Sequence, residues 1–374
     1  MTIYLDYNAT APVRPEVLAA MTEALQAGGN PSSVHAAGRA ARGRLERARA
    51  DVAALVGAAP AAVTFLSGGA EANALALESA AASGVTRLII GATEHDTVSE
   101  TAAALGLPVE TWPVDGDGLA DLAWLEARLA MGGPALVALM LANNETGVIQ
   151  PVAEAARLVR AAEGWLHVDA VQAAGKIAID FETLGAETLS LSAHKIGGPQ
   201  GVGALVAGPR ARLTRRLHGG GQERGLRAGT ENGPGIAGFG AAARTARRDL
   251  SILVAQSAWR DEAQAALEAA GAMTLGANAP RLPQTLCIAT PGHASELQVI
   301  ALDLAGIMIS AGAACSSGKV KASRVVTAMG RTDLAAVSVR ISGGWASRPE
   351  DWRALVEAWI HIQARRPARQ LETA

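Results

Sequence analysis

With 374 residues, 49% of them hydrophobic, the chain is long enough for two or three domains and apolar enough to bury sizeable cores. A net charge of −2 excludes a nucleic acid or an anionic membrane as a partner held by bulk electrostatics, so neither is expected. Two cysteines, Cys287 and Cys315, can build neither a disulfide framework nor a tetrathiolate metal site, and they suit a reducing, cytoplasmic setting.

In chain order, the start Met1-Thr2-Ile3-Tyr4-Leu5-Asp6 has no basic stretch followed by an apolar core, so no signal peptide is expected. No apolar run approaches the ~20 residues that span a bilayer. Gly28-Gly29-Asn30-Pro31 breaks two helices and predicts a loop over the site. Short apolar runs at 63–66, 88–90, 136–141, 166–168, 188–191 and 202–206 each lie beside Gly, Pro, Asn or Ser and predict strands. Ala- and charge-rich stretches at 70–82, 119–131 and 151–163 alternate with them and predict helices. This alternation predicts a mostly parallel sheet covered by helices on both faces. The stretch 219–240, rich in glycine, predicts a long irregular connection. Beyond it, helices at 250–270 and 351–364 and strands at 286–289, 307–310 and 337–341 predict a second, smaller α+β unit. The expected division is a large domain over 15–250 and a small one made of 1–14 and 251–374.

Ligands in such sheets sit beyond the carboxyl ends of the strands, and the chemically suggestive residues fall there. Lys195 follows a strand, flanked by Ser192 and His194 and trailed by Gly197, Gly198 and Gly201. A lone lysine in that place is a surface residue; this setting suits a Schiff base with a phosphorylated aldehyde. Asp169 ends an apolar strand, where a bare carboxylate is costly. It is either a helix cap or the partner of a pyridinium nitrogen, the pairing typical of pyridoxal phosphate enzymes. Ser67-Gly68-Gly69-Ala70-Glu71 joins a strand to a helix, and backbone N–H groups at such a start suit a phosphate, although alone it reads as an ordinary glycine turn. His95, after another strand, is either structural or an aromatic group that titrates near neutrality. Asn143-Asn144-Glu145-Thr146-Gly147 reads as a polar turn.

Arg340 lies inside an apolar run and needs an anion, either an internal carboxylate or a bound one. Cys315 lies among Gly and Ser neighbours, in a stretch expected to be mobile and exposed, where a thiolate could act as a nucleophile; the alternative is a packed free cysteine. Cys287 reads as core. Arg39, Arg42, Arg44, Arg47 and Arg49 predict a solvated helix face. No metal-ligand spacing is present, and no metal is expected.

Taken together, these motifs resemble the NifS-like cysteine desulfurases within the class V aminotransferase family, over nearly the whole chain from Tyr4-Leu5-Asp6-Tyr7-Asn8-Ala9-Thr10 to Val339-Arg340-Ile341-Ser342. The resemblance implies the pyridoxal phosphate-dependent transferase fold of the aspartate aminotransferase type, with a seven-stranded, mostly parallel sheet. It implies pyridoxal 5′-phosphate as cofactor, held by Gly69, Ala70, His95, Asn144, Asp169, Gln172, Ser192, His194, Lys195 and Thr230. The Thr230 contact would reach across a homodimer to the partner's phosphate. It further implies Asn144 and Arg340 on the substrate carboxylate, and Lys195, His95 and Cys315 as catalytic groups that turn L-cysteine into L-alanine and a persulfide. The sulfur would pass to an iron–sulfur scaffold or another sulfur-acceptor protein. Two departures from the family pattern are visible: Ala70 stands where a threonine is usual, and Ala313 where a serine is usual. A selenocysteine lyase, an aminotransferase or a non-catalytic adaptor on the same fold are the rival readings, because fold does not dictate chemistry.

Overall fold

The computed structural model describes residues 2–312 and 322–365. Its strands are β1 (Ile3–Tyr4), β2 (Val63–Leu66), β3 (Arg87–Gly91), β4 (Val109–Trp112), β5 (Ala135–Met140), β6 (Trp165–Asp169), β7 (Thr188–Ser192), β8 (Gly203–Ala207), β9 (Met273–Thr274), β10 (Thr285–Ala289), β11 (Ile307–Met308), β12 (Ser310–Ala311) and β13 (Ser338–Ser342). Seven of them form one sheet in the order β2-β8-β7-β6-β5-β3-β4. Only β8 runs against its neighbours; the pairs from β7 to β4 are parallel. Every residue of β5, β6 and β7 is buried, as expected of central strands with both faces covered. Alternate side chains enter opposite cores: Val137, Leu139, Leu166 and Val168 face one, and Leu136, Ala138 and Trp165 the other.

All six strands expected in this region form. The seventh, β4, has no apolar run to announce it: it is an edge strand in which only Trp112 is fully buried. A second sheet, β12-β13-β10-β9, is antiparallel, and β1 pairs with β11. Its core joins Leu5 to Leu286, Ile288, Trp352 and Trp359, so the N-terminal strand segment packs with the C-terminal third of the chain. The helix expected over 250–270 is two, Leu250–Val254 and Gln256–Ala269.

Two expectations need correction. The glycine-rich stretch does not stay irregular, because helix Gly233–Arg248 starts inside it. Asn232 Oδ1 accepts from Gly235 N at 3.0 Å and caps the helix, and Pro234 occupies the first turn, where its missing N–H costs nothing. Its glycines permit close helix packing: a Cβ on Gly240 would lie 2.6 Å from Ala48 Cα. Arg49 likewise leaves the solvated face predicted for its helix. Its guanidinium is buried and forms a two-pronged ion pair with Glu223, at 2.8 Å on each side. Glu223 also accepts from Phe65 N at 2.8 Å, which ties the glycine-rich segment to β2 just before the Ser67–Glu71 turn.

Removing one partner of a buried pair strands the other charge. Glu223→Gln should therefore lower unfolding free energy by about 3 kcal/mol or more in urea titrations. Asp333→Asn, at the exposed Arg331–Asp333 pair, should leave the urea midpoint essentially unchanged.

Candidate active site

The carboxyl ends of β3, β5, β6 and β7 lie along one edge of the large sheet, joined there by the turn after β2. Register places them side by side: Met140 opposite Asp169, Asp169 opposite Ser190, and both Leu66 and Ser192 opposite Gly203. The turns that leave this edge carry Gly68-Gly69, His95, Asn143-Asn144, Asp169–Gln172 and Ser192–Lys195.

Lys195 sits in a short 3-10 turn closed by Gly197, whose φ of 84° is a left-handed conformation that favours glycine. Its Nζ donates to the carbonyls of Asn8 at 2.7 Å and Ala9 at 2.8 Å. The Asn8 carbonyl also accepts from Gln172 Nε2 at 2.9 Å. Asn8 Oδ1 accepts from Lys176 Nζ at 3.0 Å, and Lys176 also donates to Gln172 Oε1 at 2.6 Å. Asn8 Nδ2 in turn donates to the Asn144 carbonyl and to Thr285 Oγ1. Lys195, Lys176 and Gln284 also line a cavity of about 20 Å³, room for one water molecule.

Asp169 is buried but not bare. Its Oδ1 accepts from Val171 N at 2.9 Å and its Oδ2 from Asn73 Nδ2 at 2.8 Å. Asn73 projects from helix Gly69–Ala82 and also donates to Thr97 Oγ1. Because both amide protons of Asn73 point at oxygens, its Oδ1 accepts from His167 Nε2 at 3.0 Å. Burial pulls the His167 pKa down to about 4, so this ring is neutral at pH 7. Glu94 lies fully buried near Asp169 and accepts from Met140 N; burial and then the Asp169 charge push its carboxyl up to about 8. His95 caps the helix that follows it: its Nδ1 accepts from Thr97 N at 3.1 Å, which leaves the proton of a neutral ring on Nε2. Thr97 thus joins the His95 and Asp169 networks.

His194 contacts Thr10 Oγ1 at 3.2 Å, and burial, followed by the Lys195 charge, lowers its pKa to about 4. Ser192 is buried beside Gly69. Gly68 precedes helix Gly69–Ala82 without a side-chain cap, and a Cβ on Gly69 would come within 2.9 Å of Val171 Cγ2. The start of that helix is a cradle that a larger residue would fill. Ala70 and Thr230 are exposed. Arg340 has its anion inside the chain: Nη2 bonds Asp6 Oδ1 at 2.6 Å while Nη1 donates to the Asn144 carbonyl at 3.1 Å. Its Nε is buried with no partner among the described residues. The Asn143 side chain is consumed in its own turn, accepting from Glu145 N and Thr146 N, whereas Asn144 remains partly exposed.

Cys315 and Ala313 lie outside the described residues. The segments on either side of them both reach Glu145, next to Asn144: Ser323 Oγ donates to Glu145 Oε2 at 2.6 Å, and a Cβ on Gly312 would clash with the same oxygen. Cys287 is buried in β10, as expected. Among the described residues there is no group of three or more His, Cys, Asp or Glu that could hold a metal, and no helix long and apolar enough to cross a membrane.

The set fits pyridoxal phosphate in chemistry: an amine at Lys195, an anchored carboxylate at Asp169 and an uncapped helix start where a phosphate can sit. Four residues of the network escaped the sequence reading: Asn8, Asn73, Thr97 and Lys176. The one local signal was polarity out of place, an asparagine on the buried side of helix Gly69–Ala82 and a lysine among apolar neighbours after Ala173-Ala174-Gly175.

Comparison with known proteins agrees. The family model described as aminotransferase class-V matches residues 3–355. A cysteine desulfurase of Cereibacter sphaeroides is 43% identical over 87% of this chain and 86% of its own length. One from Frankia sp. is 42% identical over 95% and 90%. The solved structure of a NifS-like protein from Rickettsia africae superposes with a TM-score of 0.89 at 32% identity, covering 97% of this chain and all of that one.

The buried neutral histidines give the fold a pH signature. A histidine whose pKa falls from 6.5 in the unfolded chain to about 4 in the folded one favours folding above pH 6.5. That contribution is lost as pH drops from 6.5 through 4, because the unfolded chain takes up the proton first. Melting temperature should decline across this window. His167→Gln should make the decline shallower, leaving the share due to His194.

Proposed function

This chain belongs to the class V aminotransferase family, and from that premise we propose that it is an L-cysteine desulfurase that uses pyridoxal 5′-phosphate. The observation that carries the reading is the meeting of an amine, an anchored carboxylate and a phosphate cradle at one sheet edge, with Arg340 and Asn144 beside them. Bound there, the cofactor supplies an electron sink that makes the Cα proton of an attached amino acid removable.

Lys195 is the amine assigned to carry the cofactor and, once freed, to move the Cα proton. Asp169, fixed by Asn73 and Val171, is assigned to keep the ring nitrogen protonated, and Gln172 to donate to the phenolate oxygen. Ser192, His194 and the backbone amides of Gly69 and Ala70 would take the phosphate; Ala70 offers no hydroxyl, so more of that work falls to the others. Arg340 and Asn144 are assigned to the substrate carboxylate, which would replace Asp6 on the guanidinium fork. His95, whose Nδ1 accepts from Thr97 N, is assigned to stack on the cofactor and to manage the thiol proton. The Cys315 thiolate attacks the substrate sulfur: an S–S bond forms, the Cβ–S bond breaks and its electron pair stays on carbon. Protonation of that carbon yields L-alanine and leaves a persulfide on Cys315.

A homodimer accords with Thr230 being exposed in the single chain and with Leu18 and Leu25 lying 64% and 66% exposed on one face of helix Pro15–Ala27. Separate cores around Leu139 and around Trp352 favour the division into 15–250 and 1–14 with 251–374. The sulfur acceptor, an iron–sulfur scaffold or a relay protein, and a cytoplasmic setting complete the reading.

Incubated with pyridoxal phosphate and L-cysteine, the protein should release alanine and gain one sulfur atom on the Cys315 peptide, read by mass spectrometry. Cys315→Ala should keep the yellow colour and lose the added sulfur, and Lys195→Ala should lose the lysine-bound absorption band. Formation of pyruvate with an unmodified Cys315 would sink the desulfurase reading in favour of another lyase or transferase on this fold.

A further inference from the structure

Of the 33 lysine and arginine residues in this chain, only four are lysines, at positions 176, 195, 319 and 321. The other 29 are arginines. A guanidinium cannot lose its proton inside a protein, whereas a buried ammonium readily does. Lysine at 195 is explained by the need for an amine, and Lys176 lies in the same hydrogen-bond network, almost wholly buried.

No carboxylate touches Lys176 in the described structure. Its partners are two amide oxygens, Asn8 Oδ1 at 3.0 Å and Gln172 Oε1 at 2.6 Å. The ionisable groups around it are Lys195 and His194 on the turn after β7, and Arg340 on β13, whose charge is already answered by Asp6. Tyr7 and Arg14 line the adjoining cavity. A neutral amine has two N–H bonds, and two acceptors are present. Burial first, and then Lys195 and Arg340, hold the Lys176 pKa well below that of an ordinary lysine.

We propose that Lys176 is a positioning residue, an uncharged amine that spends both N–H bonds on Asn8 and Gln172 and thereby orients the Gln172 amide and the Asn8 carbonyl that receives Lys195. With Oε1 held by Lys176, the Gln172 amide can turn only its Nε2 toward Asn8 and the cofactor side. The inference rests on the pyridoxal phosphate reading above. A cation in the same place would act differently, by repelling the charge on the lysine-bound cofactor.

The test uses the full-length holoenzyme with lysine labelled at ¹⁵Nζ, where four lysines make a sparse spectrum. At pH 7 the resonance that disappears in Lys176→Gln should have the shift of an amine; an ammonium shift would overturn the proposal. Absorbance titration of the lysine-bound cofactor supplies the second readout. Lys176→Met, which removes both donors, should raise the midpoint by about half a pH unit or more, because the phenolate loses an oriented donor. Lys176→Gln, which restores an N–H donor without charge, should bring it back to within about 0.2 units. An unmoved midpoint in Lys176→Met, or an equal shift in both variants, would overturn the proposal. If Lys176→Met does not fold, the wild-type spectrum decides. A wild type that takes up no pyridoxal phosphate defeats the proposed function instead, and the NMR result on the free protein then judges Lys176 separately.

Discussion

The carbonyl and side chain of Asn8 hold the site together. That one residue accepts from Lys195, Gln172 and Lys176, and donates to the Asn144 carbonyl and to Thr285 on β10. It lies three residues after Leu5, which is locked into the core of the smaller sheet. Lys195 of the large sheet is therefore aimed by a segment that belongs to the other core. Any shift of one sheet against the other is felt at Lys195 through hydrogen bonds of 2.7 and 2.8 Å. A buried donor left without its acceptor costs on the order of 1–3 kcal/mol, so the arrangement resists small displacements.

Charge at this edge is managed by depth. Asp169 keeps two donors, Val171 N and Asn73 Nδ2, so its buried oxygens are not left unpaired. The groups around it adjust instead: Glu94 is pushed toward its neutral form and His167 is held neutral. On the opposite side, Lys195, Arg340 and the Lys176 amine lie together, and among the described residues Asp6 is the carboxylate that meets Arg340. Under the proposed function, a ring carrying a phosphate and a phenolate would lie between the Asp169 carboxylate and this group. On that reading, a substrate carboxylate at the Arg340 fork would have to displace Asp6.

Small residues decide how closely the layers approach. With aromatics at 3% of the chain, helices pack through alanine and glycine, as where Gly240 meets Ala48. The short distance brings helix Gly233–Arg248 against the helix that carries Arg49, and the Arg49–Glu223 pair then pins the glycine-rich segment to β2. The Gly68-Gly69 turn begins two residues beyond β2, so its position is inherited from this buried pair.

The large sheet was legible because six of its strands are short apolar runs bounded by turn residues, and the site residues at their ends carry chemistry that is costly to leave unpartnered. Lys195, Asp169 and His95 could be singled out for that reason, and Arg340, inside β13 of the smaller sheet, because a charge within an apolar run needs an anion. β4 was not legible, since an edge strand with one buried residue has no pattern, and the helix at Gly233 was hidden because glycine marks both loops and tight packing. The sequence by itself determined the alternation of strand and helix and that Asp169 and Lys195 stand at the carboxyl ends of strands, because these follow from local polarity and period. Only the tertiary structure decided that Asn8, Asn73, Thr97 and Lys176 join them and that Arg340 meets Asp6 across 334 residues of chain. Hydrogen bonds between distant segments leave no trace in local composition; they exist only once packing has brought the two strands of chain to within 3 Å.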